Sequence, residues 1–142
     1  MRTFEEYLEG LRAMKPNIHM HGEVIRRDDP RLTPAMNNIK LTFDMAQDPQ
    51  YRDLLTATSH LTGEKINRFC HIARSTEDLL KKQEMIRITS QKTPACVQRC
   101  MGVDMLNGLS VVTHEIDQAK GTEYYPRFLE YLKHFQKRDL VG

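Results

Sequence analysis

The sequence predicts a mainly α-helical domain, on three observations. Helix-start signals recur along the chain, apolar residues return at helical spacing, and Gly or Pro stands where each periodic run stops. The first element shows all three. In "TFEEYLEGLRAM", Thr3 and Glu6 have the spacing of a capping box, in which each side chain satisfies a backbone donor at the helix start. Phe4, Leu8 and Leu11 then share a face, and the run ends before Pro16.

From Asn17 the period breaks: "IHMHGEVI" alternates around Gly22, and "RRDDPRLTP" carries two prolines, so residues 17–34 predict an irregular or short extended segment. A helix over residues 34–46 follows, with Ile39 and Phe43 facing inward. Asp48-Pro49 suits a fresh helix start. "TATSHLTGEKINRF" reads as a loop or extended connection. Ser75 and Asp78 restart a helix whose apolar side is Leu79, Leu80 and Ile86. Pro94 fits the first turn of a long helix through Cys96, Cys100, Leu106 and Ile116 to Gly121, and a last helix covers residues 126–137. The expected architecture is five or six packed helices with one irregular segment, in a single domain over residues 1–142.

Composition narrows the function classes. The chain is 39% hydrophobic and 28% charged, as in soluble globular proteins. No apolar run approaches the roughly 20 residues needed to span a bilayer. The glutamates in "MRTFEEYLEGL" are unlike a secretory signal, so the expected location is cytoplasmic. A net charge of +2, from 21 basic and 19 acidic residues, leaves no footprint for nucleic acid.

The cysteines are Cys70, Cys96 and Cys100, an odd number that argues against a disulfide framework. On one helix, Cys96 and Cys100 would lie a turn apart with Cβ atoms about 5–6 Å from each other. That exceeds the roughly 3.5–4.5 Å a disulfide needs and suits thiolates that reach separate irons of a cluster. Spacing alone equally allows two small buried thiols. His19 and His21 would share a face of an extended segment and permit a metal site, but two loop histidines also occur as ordinary surface residues. Cys70 with the neighbouring His71 leaves zinc a remote option. Glu77 and Asp78 could supply a carboxylate, yet acidic residues in a first helical turn interact favourably with the helix dipole without further role. No Gly-rich phosphate loop, nucleophile elbow or zinc-protease motif is present.

Four ordered blocks carry a resemblance: "MHGEVIRRDDPRLTPAMNNIKLTFDMAQDPQYRDLL", "INRFCHIARSTEDLLKKQEMIR", "QKTPACVQRCMGVDMLN" and "HEIDQAKGTEYYPRFLEYLKHFQ". Together, across roughly residues 4–140, they are similar to the N-terminal region of the 4-hydroxybutyryl-CoA dehydratases. That family shares a superfamily with the flavin-dependent 4-hydroxyphenylacetate 3-hydroxylases. The resemblance implies the helical N-terminal domain of an acyl-CoA dehydrogenase-like fold, with a β domain and a C-terminal helical bundle as its partners. It also implies FAD and a [4Fe-4S] cluster held by three cysteines and one histidine, with Cys96 and Cys100 at two of the cysteine positions.

For the whole enzyme the resemblance implies conversion of 4-hydroxybutyryl-CoA to crotonyl-CoA, a CoA-thioester substrate and a homo-oligomeric assembly. These residues alone are expected to be inactive and to hold neither cofactor stably. The competing expectations are the N-terminal domain of a phenol hydroxylase, whose branch lacks this cysteine pair, and a helical assembly module without chemistry. Relatives usually carry aromatic residues where His19 and His21 stand, and Cys70 matches no ligand position.

Overall fold

The structure, a computed structural model, describes residues 1–93 and 95–141; the expected helix start at Pro94 lies outside them. Among the described residues, six α-helices are joined through two short antiparallel hairpins. Thr3 opens α1 (Phe4–Arg12) with the full capping box: its hydroxyl accepts from the Glu6 N–H, and the Glu6 carboxylate accepts from the Thr3 N–H. Phe4 and Tyr7 then set their rings 6.2 and 5.2 Å from Phe43 of α2 (Thr33–Gln47), which is fully buried.

The irregular segment is a hairpin of β1 (Ile18–Met20) and β2 (Glu23–Ile25). His21 and Gly22 turn it, both at positive φ, as a two-residue hairpin turn requires. Ile39 and Phe43 of α2 face inward as the periodicity predicts.

The helix expected after Asp48-Pro49 shrinks to one turn, α3 (Arg52–Leu55). Arg68 supplies a reason, because its guanidinium donates to the carbonyls of Asp53, Leu54 and Thr56 and so satisfies acceptors that a continuing helix would use. The Thr-rich stretch then forms β3 (Thr56–Thr58), paired with β4 (Lys65–Asn67).

Ser75 caps α4 (Thr76–Lys92) by accepting from the Asp78 N–H. Its expected apolar side is only partly correct: Leu79 and Leu80 are exposed, Ile86 is half-buried, and the buried residues are Met85 and Thr89. The helix packs through its later turns, and its first turns stand clear of the core. The long helix α5 (Cys100–Lys120) stops at Gly121, whose φ of 64° suits a left-handed C-cap. Asp117 then accepts from the N–H groups of Tyr124 and Tyr125, starting α6 (Tyr124–Arg138).

The core has two parts. One joins α2, α3, α4 and the start of α5 through Met45, Leu55, Phe69, Met85 and Val103. The other joins the β3–β4 hairpin to α5 and α6 through Ile66, Leu106, Phe128, Leu132 and Phe135. A buried polar link, Ser59 to Gln136 and Gln136 to the Cys70 carbonyl, ties that hairpin to α6. Among the described residues no helix is long and apolar enough to cross a membrane.

The Cys96–Cys100 candidate metal centre

Cys96 does not lie on a helix, contrary to the sequence expectation; α5 begins at Cys100. Burial decides the local conformation. Val97 and Arg99 are 1% and 2% exposed, while Cys96 and Gln98 face solvent. Residues two apart on a helix face opposite sides, so burial of both Val97 and Arg99 requires a non-helical backbone between them. Gln98 takes a left-handed φ of 64°, a costly conformation for a residue with a Cβ, and this bend brings Cys96 back over the start of α5. The two Sγ atoms stand 3.1 Å apart, so the separation expected for two cysteines on one helix does not apply.

Arg99 anchors this loop. Its guanidinium donates to Asp139 Oδ1 at 2.6 Å and to the Leu140 carbonyl at 3.1 Å. It also reaches Thr42 Oγ1 and Cys70 Sγ, both at 3.4 Å, and lies over the rings of Phe43 and Phe69. Both side chains of the Arg99–Asp139 pair are 1% exposed. Asp139 sits just past α6 at a φ of 45°, and its Oδ2 is buried without a hydrogen-bond partner among the described residues. Chain positions 40 residues apart are thus locked together directly beneath the cysteine loop.

The cysteine pair is electrostatically asymmetric. The Gln98 N–H, with help from the Cys100 thiol, holds the Cys96 thiol below its ordinary value. The hydrogen bond to Cys96 pushes Cys100 up, with burial adding to it. Cys96 is therefore the first of the two to lose its proton, and its sulfur then accepts from the Cys100 S–H. Burial pushes the Cys70 thiol up to about 12, so Cys70 is a buried thiol and not a ligand candidate.

A reactivity order follows. Limited iodoacetamide at mildly alkaline pH is expected to label Cys96 first, Cys100 more slowly, and Cys70 only after denaturation, because the thiolate is the nucleophile. Peptide mass spectrometry reads this order. In Cys96→Ala, labelling of Cys100 is expected to shift to lower pH, since the partner that raises it is gone. Faster labelling of Cys100 than Cys96 in the native chain would contradict the assignment.

Other sequence candidates are not brought together. His19 pairs across the first hairpin with Val24, and His21 sits in its turn. Among the described residues no three His, Cys, Asp or Glu side chains form a metal-binding group. Asp78 accepts from the Arg74 N–H and acts at the start of α4, as the helix-end reading of that carboxylate anticipated. The Arg99–Asp139 pair was not foreseen, because no local pattern joins two residues 40 positions apart.

With this geometry, the comparisons with known proteins are informative. The chain is 46% identical over 143 residues to 4-hydroxybutyryl-CoA dehydratase/vinylacetyl-CoA-Delta-isomerase of Clostridium aminobutyricum, covering 99% of this chain and 29% of that protein. A solved oxygen-tolerant archaeal 4-hydroxybutyryl-CoA dehydratase from N. maritimus superposes with a TM-score of 0.92 at 40% identity, over 99% of this chain and 28% of that one. The oxygenase component of 4-hydroxyphenylacetate 3-monooxygenase, solved with FAD, gives 0.73 at 19% identity, over 99% of this chain and 29% of that one, a likeness of fold alone. The chain thus spans less than a third of the length of the relatives it matches. Its fold is that of the helical N-terminal domain of acyl-CoA dehydrogenase-like enzymes. The family described as 4-hydroxyphenylacetate 3-hydroxylase N terminal matches residues 3–142, and the chain belongs to that family.

Proposed function

We propose that this chain is the N-terminal part of a 4-hydroxybutyryl-CoA dehydratase-like enzyme and that Cys96 and Cys100 are two of the four ligands of its [4Fe-4S] cluster. The observation that carries the proposal is a pair of free cysteines on a loop anchored by buried Arg99, in a chain 46% identical to a dehydratase; the two sulfurs, 3.1 Å apart here, would part for each to reach its own iron. The donors fit the group by type: both are free thiols, and one is already biased toward thiolate. They fit as half a site, and the other two ligands come from outside these residues.

When bound, the cluster and FAD would supply Lewis-acid and electron-transfer chemistry to the elimination of water from a CoA thioester. The residues of this chain do the holding. Cys96 and Cys100 would hold the cluster as thiolates, both thiol protons being lost on binding. Val97 and Arg99 fix the loop from below, so the sulfurs are oriented before the remaining domains close over them. The apolar face of α5 is the surface those domains cover and from which they exclude water.

The test is anaerobic production of this chain together with the remaining domains, followed by iron, sulfide and flavin analysis. Iron and sulfide near one cluster per chain are expected, with loss of both in Cys96→Ala and in Cys100→Ala, and crotonyl-CoA formation only by the assembled protein. Survival of the cluster in both variants would overturn the ligand assignment. An iron-free assembly that hydroxylates a phenol with reduced flavin would place the chain in the hydroxylase branch instead.

A further inference from the structure

A second site lies away from the cysteines. The β3–β4 hairpin and the start of α4 surround a cleft of about 520 Å³. Its walls carry four cations, Lys65, Arg68, Arg74 and Lys81, against two carboxylates, Asp53 and Asp78. Positive charge therefore exceeds negative in a concave space, which concentrates field on whatever enters it.

Arg68 is the built component. It is 5% exposed, and three backbone carbonyls hold its guanidinium: Leu54 from Nε at 2.7 Å, Thr56 and Asp53 from the second terminal nitrogen at 2.5 and 3.3 Å. Its first terminal nitrogen makes no hydrogen bond among the described residues, and its nearest carboxylate, Asp78 Oδ1, is 3.9 Å away. The other oxygen of Asp78, Oδ2, accepts from the Arg74 N–H at 3.0 Å, so Oδ1 faces Arg68 at ion-pair range without a direct hydrogen bond. Lys81 pairs with Glu77 at the rim. Lys65 and Arg74 have no carboxylate within 4.0 Å among the described residues. A buried, pre-oriented guanidinium flanked by two uncommitted cations has the chemistry of a phosphate receptor.

Two histidines on the same walls agree with this. Burial, with Arg68 and His60 nearby, lowers His71, and burial with Arg74 lowers His60, so both are neutral donors at pH 7. His60 and Arg74 also line an adjoining cavity of about 380 Å³ whose other walls include Leu61, Ile72, Tyr125 and Leu129. A cationic compartment and one of mixed polar and apolar lining, with Tyr125 as its phenol ring, thus share a wall.

We propose that the cleft binds the phosphate or pyrophosphate of a nucleotide-type ligand whose nucleoside lies in the adjoining cavity. This does not rest on the cysteine assignment and stands if no cluster forms. Coenzyme A and FAD share the ADP unit, so either could be the source.

The experiment titrates the isotope-labelled chain with inorganic pyrophosphate, ADP, coenzyme A and FAD, following amide and imidazole resonances by NMR. Pyrophosphate is expected to shift His60, His71, Lys65 and Arg74. ADP is expected to bind more tightly and to shift Tyr125 and Leu129 as well. Arg74→Gln and Lys65→Gln, both at exposed positions, should each weaken ADP binding roughly ten-fold, as loss of one charge-assisted hydrogen bond does. Lys133→Gln on α6 should have no effect. Tighter binding of coenzyme A or of FAD identifies the source. No response to millimolar pyrophosphate and ADP, or equal weakening by Lys133→Gln, would overturn the site. Equal affinity for pyrophosphate and ADP would overturn the nucleotide assignment.

Discussion

Arg99→Met is expected to destabilise the chain by about 3–5 kcal/mol, the range for removing one partner of a buried ion pair. The substitution leaves Asp139 with a buried charge, an Oδ2 that has no partner among the described residues, and an Oδ1 that has lost its closest one. It also empties a position enclosed by the rings of Phe43 and Phe69. Most of the cost should come from the orphaned carboxylate rather than from lost packing, because methionine fills much of the guanidinium's space. Asp139→Asn added to Arg99→Met should therefore recover most of the stability; Asn also tolerates the left-handed φ at that position. Urea unfolding of the two single variants and the double variant completes the cycle. A loss below about 1 kcal/mol in Arg99→Met would mean that the pair is solvated and does not anchor the cysteine loop. The same variant should lose the selective labelling of Cys96, because the bend at Gln98 is held in place by Val97 and Arg99.

The sequence disclosed those parts of the molecule whose causes are local. Thr3 with Glu6, Ser75 before α4 and Gly121 after α5 each act within one turn of chain, and each has its expected role. Asp48-Pro49 marks a helix start but carries no sign of where α3 stops, because Arg68, 14 residues downstream of Leu54, takes the carbonyls that would have continued it. Cys96 was misplaced onto a helix for a similar reason: Pro and the C-x3-C spacing favour helix locally, whereas burial of Val97 and Arg99 requires a non-helical backbone. Leu79 and Leu80 were assigned to the core by periodicity, which says that a face is apolar but not what covers it. The candidate site was visible as two cysteines. Its anchor and the cationic cleft were hidden because they join residues far apart in the chain.

The 142-residue chain on its own is expected to self-associate through α5. Met101, Met105, Leu109, Val112 and Ile116 are exposed by 73, 43, 37, 48 and 38%. Their spacing of four, four, three and four residues confines them to an arc of about 80° along about 22 Å of helix. The opposite face buries Val103 and Leu106, so α5 is apolar on two sides and satisfied on one. An uncovered apolar stripe of that length is uncommon on a monomer. The relatives are more than three times longer than this chain, and on the proposed function the further domains of the whole protein would lie on this stripe. Met105→Glu with Val112→Glu should shift the isolated chain to monomer in sedimentation equilibrium. Its dimerisation constant should weaken at least about ten-fold per introduced charge. Unfolding stability should change by no more than about 0.5 kcal/mol per site, because both positions are exposed. In the protein with its remaining domains, the same pair should lower iron content by weakening closure over Cys96 and Cys100. A chain that is monomeric before substitution, together with a double variant that assembles and holds iron normally, would show that neither a second copy nor the remaining domains use this face.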